Sequence, residues 1–260
     1  MELRNPLDLG SSGASRTVQV DDGAAAIDAV LSGVISGTGT SANLYKYGSG
    51  TLALTAVNTY RGQTWVSGGG VLLLTGIASI GTAGANNMTL GQQYVGAGTL
   101  QYDSSATSYF SAISIGQSAA VGTLNQTAGT ISVSGNVTLS PAADGVSFLN
   151  LSGGTLSVGN TLIVGLRGNG AATLTLSDAG VLTAPVVTIP DFSNVPGNYK
   201  PSYGRFIQNG GTATVGSLVL AQTSYDTNPH VGPFDLNGGI LSRSEEHTSE
   251  IQSRITITYA

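Results

Sequence analysis

Titratable side chains are scarce in this chain of 260 residues, so the places where they could act together are few. Outside the C-terminal tail, His230 is the one imidazole with carboxylates nearby in sequence, at Asp226 and Asp235. That pairing is the minimum for general acid–base work. His230 sits in Asn-Pro-His-Val-Gly-Pro, however, and prolines on both sides make a solvated loop the plainer reading. Asp21 and Asp22 offer adjacent carboxylates for acid–base chemistry or calcium. Neighbouring strand residues face opposite sides, and Asp-Asp-Gly is turn chemistry, so this pair reads as a corner. Asp103, Asp144, Asp178, Asp191, Lys200 and Arg205 recur at no fixed place in the repeat described below. The chain has no nucleophile elbow, P-loop or calcium-binding nonapeptide run. The expectation is a protein that is not an enzyme, with no catalytic, cofactor-binding or metal residues.

Composition narrows the field further. Only 9% of the residues are charged, 38 are glycine and none is cysteine, so disulfides, thiolate metal sites and cysteine nucleophiles are excluded. A typical soluble domain is about a quarter charged; here Ser, Thr, Asn and Gly must cover the exterior. With a net charge of −5 and nine basic residues scattered from Arg4 to Arg254, no basic stripe awaits phosphates, which disfavours nucleic acid. No stretch approaches the roughly 18 to 20 apolar residues of a membrane-spanning helix. The N-terminus lacks a charged region followed by an apolar run, so no signal peptide is expected.

From Thr123 onward the chain repeats. Aligned on Gly129, Gly154, Gly180, Gly211 and Gly239, the modules are spaced by 25, 26, 31 and 28 residues, by subtraction of these numbers. Two positions after each glycine stand Ile131, Leu156, Leu182, Ala213 and Leu241. Four after the first four stand Val133, Val158, Ala184 and Val215. Between them lie Thr130 and Ser132, Thr155 and Ser157, Val181 and Thr183, Thr212 and Thr214, Ile240 and Ser242. Leu124, Leu149, Phe206 and Phe234 precede four of the anchors by five residues, with Gln126, Leu151, Gln208 and Leu236 two further on. The Gly180 module keeps that pattern at Leu174 and Leu176 with one residue inserted.

A period in this range means stacked units, each burying its apolar face only against its neighbours. The expected fold is therefore all-β, a right-handed parallel β-helix of roughly nine or ten coils, a rod about 45 Å long. The apolar columns should point inward and the hydroxyls outward. Thr130, Ser132, Thr155, Ser157, Thr183, Thr212 and Thr214 are then a possible ligand face, since a coil fixes donor and acceptor spacing as glycans or ice would need. Thr is also simply favoured on exposed strand faces, and Val181 and Ile240 break the pattern. The prolines of 190–203 and the stretch 225–233 are read as loops leaving the coils.

Gly48 to Leu74 alternates with period two, Leu52 and Leu54 opposite Thr51, Ala53 and Thr55, and is read as two strands and their turns. Asn58, Gly62 and Gly68-Gly69-Gly70 are expected to supply positive-φ turn positions. The stretch resembles the autotransporter-associated β-strand repeat of bacterial surface and secreted proteins. Gly48, Gly50, Thr51, Leu52, Leu54, Thr55, Asn58, Thr59, Tyr60, Gly62, Thr64, Val66 and Leu72 carry the match, whereas Ala56 stands where glycine is usual and Trp65 is unusual. The resemblance implies a passenger-type segment of an exported protein, extracellular or at the cell surface, associated with the outer membrane through parts missing here. Its role would be structural or adhesive, with glycans or a neighbouring cell surface as partners, and the segment is expected to be a monomer without cofactors. The alternative is a carbohydrate-active β-helix enzyme or glycan-binding module, with Asp191, Lys200, Asp226 and His230 converging in one groove.

Arg243 to Arg254 reads Arg-Ser-Glu-Glu-His-Thr-Ser-Glu-Ile-Gln-Ser-Arg and holds three of the chain's four glutamates. It resembles translated sequencing-adapter read-through, with Ile251 departing; the alternative is a charged capping segment. The expected organisation is one β-helix over 1–242, a non-native tail over 243–254, and 255–260 unassigned. His247 is accordingly not read with Glu245, Glu246 or Glu250 as a cluster.

Overall fold

The computed structural model describes residues 1–11, 15–82, 86–92, 95–142, 144–166, 170–191, 203–222, 233–243 and 256–257. Every regular element among them is a β-strand. Short alternating segments separated by turn residues cannot bury an apolar face alone, and here they stack in register as a parallel β-solenoid with three faces.

In each coil the chain crosses the three faces in turn. The first face carries Arg16–Gln19, Leu44–Tyr47, Thr64–Val66, Asn87–Leu90, Ala112–Ile115, Val137–Leu139, Thr161–Val164, 186–188 and 217–219. Along the second run Glu2–Leu3, Ala29–Leu31, Thr51–Leu54, Gly70–Gly76, Gly98–Ser104, Val121–Gln126, Val146–Leu151, Ala171–Leu176, 203–208 and 234–236. The third face starts thinly, with Leu7–Asp8, Ile35–Ser36 and the Val57–Ser79 bridge. It becomes regular through Thr107–Phe110, Thr130–Val133, Thr155–Val158, 181–184, 212–215 and 240–243. Every one of these pairings is parallel. Because Tyr203–Gln222 crosses all three faces in one strand, the ladders join into a 22-stranded sheet. About eight regular turns run from Leu44 to Arg243, after two shorter N-terminal rungs, which agrees with the coil number read from the repeat. One antiparallel pairing sets 256–257 against Phe234 and Asp235 of the last coil.

Alternation decides what enters the core. Thr130–Val133 and Thr155–Val158 both bury their second and fourth residues, and Ile131, Leu156, Leu182 and Ala213 are fully inaccessible. Val133, Val158, Ala184 and Val215 form the neighbouring column, also buried, while Leu241 in the last coil is half-buried. Phe206 and Phe234 meet edge to face, centroids 4.8 Å apart.

Corners depart from the sequence reading in two places. Gly129, Gly154, Gly211 and Gly239 are left-handed as the alignment requires, but Gly180 is not; Asp178 takes that conformation with φ 49°. The residue inserted after Leu176 shifts the corner, and Asp is one of the few side chains tolerant of this region. In the Gly48 to Leu74 stretch, Gly48, Gly68 and Gly69 have positive φ, whereas Asn58, Gly62 and Gly70 do not. Gly70 is required by proximity instead, since a Cβ there would overlap the Gly48 carbonyl and the Lys46 ammonium.

Asn58 ties coils with its side chain. Buried between three rungs, its Oδ1 accepts the Ile35 N–H at 2.8 Å, and its Nδ2 donates to the Ala56 and Ser79 carbonyls at 2.9 and 3.0 Å. Gln126 and Gln208 are likewise buried in a column otherwise held by Tyr102, Leu151, Leu176 and Leu236. The Gln126 amide donates to the Thr155 carbonyl of the next coil at 2.9 Å, and Gln208 to that of Ile240 at 3.0 Å. Tyr102 reaches Ala106 and Thr130 in the same way. These donors add a further hydrogen bond to carbonyls at and beside the corners, some of which already accept a rung amide, as Ala106 does from the Thr130 N–H at 3.0 Å.

Truncating a central column should cost what a buried leucine and its cavity cost. Leu156→Ala is expected to lower unfolding stability by ~2–5 kcal/mol, read as a shifted urea midpoint.

Candidate ligand-binding faces

The third face brings the predicted hydroxyls together. Thr130, Thr155 and Thr212 lie in one outward column, interrupted by Val181 and ended by Ile240. Ser132, Ser157, Thr183, Thr214 and Ser242 form the next, without a break. All seven predicted positions are half-buried or exposed. Rungs repeat every ~4.8 Å, and alternate residues in a strand stand ~6.7 Å apart, so the hydroxyls form a two-column grid. Thr214 and Ser242 are within hydrogen-bond distance of each other, 3.2 Å. Thr107 and Tyr109 extend the columns toward the N-terminus. The anchor-glycine alignment missed them because Ser105-Ala106 replaces the glycine of that corner.

Several carboxylates among the described residues are tied into corners and rungs, whereas Asp22 contributes only its backbone N–H, to the Ser49 hydroxyl. Asp28 accepts the Gly23 N–H at 2.8 Å and the Thr51 N–H at 2.7 Å, which explains a charge inside an apolar run. Asp21 accepts from Gln19 and Asp103 from Thr127, while Arg205 pairs with Asp235 at 2.6 Å. Asp178 accepts the Ser177 hydroxyl at its corner. No group of three or more His, Asp or Glu side chains converges among the described residues. Lys200, Asp226, His230, most of the two predicted loops and 244–254 lie outside the described residues. Asp191 closes the strand Val181–Asp191 opposite Gln222.

Comparison with protein-family models and with curated proteins gives no match. Among the described residues no helix is long and apolar enough to cross a membrane.

The first face holds a feature that no repeat alignment marked. Tyr45 and Trp65 occupy successive rungs of its outward column and stack in parallel, centroids 4.2 Å apart and planes 5° from each other. Thr17 precedes the pair, and Thr89, Ser114 and Thr138 follow it. The sequence clue was Trp65 itself, unusual within the repeat pattern.

On the inward side of the same strands lies Lys46, fully buried, its ammonium donating to the Gly48 carbonyl. Burial pushes its pKa down, partly opposed by Asp28 and Asp21. The folded protein therefore releases this proton at lower pH than the unfolded chain. In that interval the unfolded chain holds more protons, so stability rises as pH climbs toward the ordinary lysine value of 10.5. Tyr60 and Tyr102 act oppositely. Burial raises both phenols, so stability falls once unfolded tyrosine ionises above its ordinary 10.0. Lys46→Met should raise stability at neutral pH by about 1 kcal/mol and abolish the rise on the approach to pH 10, while the alkaline fall remains. Urea unfolding of both proteins between pH 7 and 11 checks this.

Proposed function

We propose that this chain is a non-catalytic structural and adhesive segment of a bacterial secreted or cell-surface repeat protein, an outward rod whose third face engages a hydroxylated surface such as a glycan. The observation that carries the reading is the two-column hydroxyl grid, with Ser132, Ser157, Thr183, Thr214 and Ser242 in unbroken register. A solenoid holds such groups at fixed spacing without ordering cost at the moment of binding, which favours a repetitive, uncharged partner. The low charge supports the same reading, since only 9% of residues are Asp, Glu, Lys or Arg. Resemblance of Gly48 to Leu74 to the autotransporter-associated repeat supports export, an extracellular location and a monomeric passenger role.

Lysines on the grid test this directly. Thr155→Lys/Thr212→Lys should fold with unchanged far-ultraviolet circular dichroism and lose retention on the insoluble glycan that holds the parent protein; undiminished retention would remove the third face from consideration.

A further inference from the structure

A parallel pair of rings leaves one face of each ring without an aromatic partner. In the outward column of the first face, the residue beyond Trp65 is Thr89, shorter than an indole by a whole ring system, and Ser114 follows it. The sheet therefore forms a step, its riser the outer face of Trp65 and its tread the Thr89 and Ser114 hydroxyls. Trp65, Thr89 and Ser114 are all half-buried, so part of each remains open to solvent. The column beside it presents carboxamides at Gln63 and Asn87, two residues before Trp65 and Thr89 in their strands. Neither side chain makes a hydrogen bond with the described residues. Asn87 is exposed and Gln63 half-buried. The nearest charged side chain in sequence is the exposed Arg61, which lies before the strand Thr64–Val66, two residues ahead of Gln63, while Lys46 points inward.

Each element of the step matches one part of a sugar. An all-equatorial pyranose has a ring face of axial C–H groups that packs on an aromatic face, and a rim of hydroxyls that carboxamides and Thr or Ser can satisfy. A phosphate or sulfate would find no cation among Trp65, Thr89, Ser114, Gln63 and Asn87, only Arg61 at the corner before them, and an apolar ligand would strand both carboxamides. We propose that the Tyr45–Trp65 stack and the adjoining Thr89 rung form a subsite for a neutral, β-linked glycan of all-equatorial pyranoses, with one residue against the indole face of Trp65 and hydroxyls at Asn87, Gln63, Thr89 and Ser114. Tyr45 acts from behind, holding the indole upright. The subsite lies on a different face from the hydroxyl grid and does not depend on it.

Trp65 is the chain's single tryptophan, so its emission reports this position alone. Cellohexaose, laminarihexaose and chitohexaose are titrated against the full chain. At least one should produce a saturable change in tryptophan emission. Thr89→Arg, which fills the tread and keeps the indole, should abolish the change, and Trp65→Ala should weaken binding to the same hexaose by about tenfold in calorimetry. Thr155→Lys/Thr212→Lys should leave the emission change intact whether or not it alters retention, so failure of the third-face reading is separated from failure of this one. The proposal is overturned if no hexaose alters the emission, if Thr89→Arg responds like the parent, if the third-face variant loses the response, or if choline evokes it as strongly as the glycan. Circular dichroism of each variant establishes that a lost response comes from a folded chain.

Discussion

The structure depends on the parallel backbone ladder between coils. Each strand is only two to seven residues long over most of the chain, too short to be stable alone, and each gains its partners only from the coils before and behind it. Register is consequently the controlling variable. A slip of one residue would turn every Ile, Leu and Val column outward and every Thr column inward. Corners hold that register. Left-handed glycines close turns between the second and third faces at Gly129, Gly154, Gly211 and Gly239 and between the first and second at Gly48, Gly68 and Gly116, and Asn58, Tyr102, Gln126 and Gln208 fasten one coil's carbonyls or amides to the next.

The same constraint accounts for the exterior. Once rungs satisfy the backbone, the outward residues need only be tolerable in a strand and soluble, and Thr, Ser and Asn meet both conditions with few charges. Stacking then converts a local preference into an array. Asn150 donates to Asn125 and Asn237 to Asn209, each at 2.9 Å, because equivalent positions are forced into vertical alignment. The hydroxyl grid and the Tyr45–Trp65 stack arise from this alignment. Residues 20 to 30 apart in sequence become neighbours at rung distance, so a surface of regular chemistry results without any segment being specialised.

Buried polar groups mark where the fold accepts a cost. Lys46 occupies a core column otherwise filled by Val18, Val66 and Leu90, and its ammonium answers a corner carbonyl that no rung reaches. Gln126 and Gln208 direct their amide nitrogens to carbonyls of the next coil and leave Oε1 without a partner among the described residues. In each case the position is apolar in the neighbouring coils, so a polar residue there reflects the corner next to it.

Strand alternation, the 25-to-31-residue period, the inward columns and the outward hydroxyls were all readable in the sequence, because a period-two pattern assigns each side chain to a face and a long period implies stacking. The left-handed corners at Gly129, Gly154, Gly211 and Gly239 followed from the same alignment. Tertiary structure alone decided which coil positions touch. Asn58 proved to be a tie rather than a turn, and Asp178 replaced Gly180 at its corner. Thr107 and Tyr109 joined the grid although no glycine announced them, and Trp65 found Tyr45 twenty residues earlier. The physical reason is that spacing within a repeat is local information, whereas lateral neighbours depend on how many residues each corner consumes, and corners here vary in length and lack a common sequence.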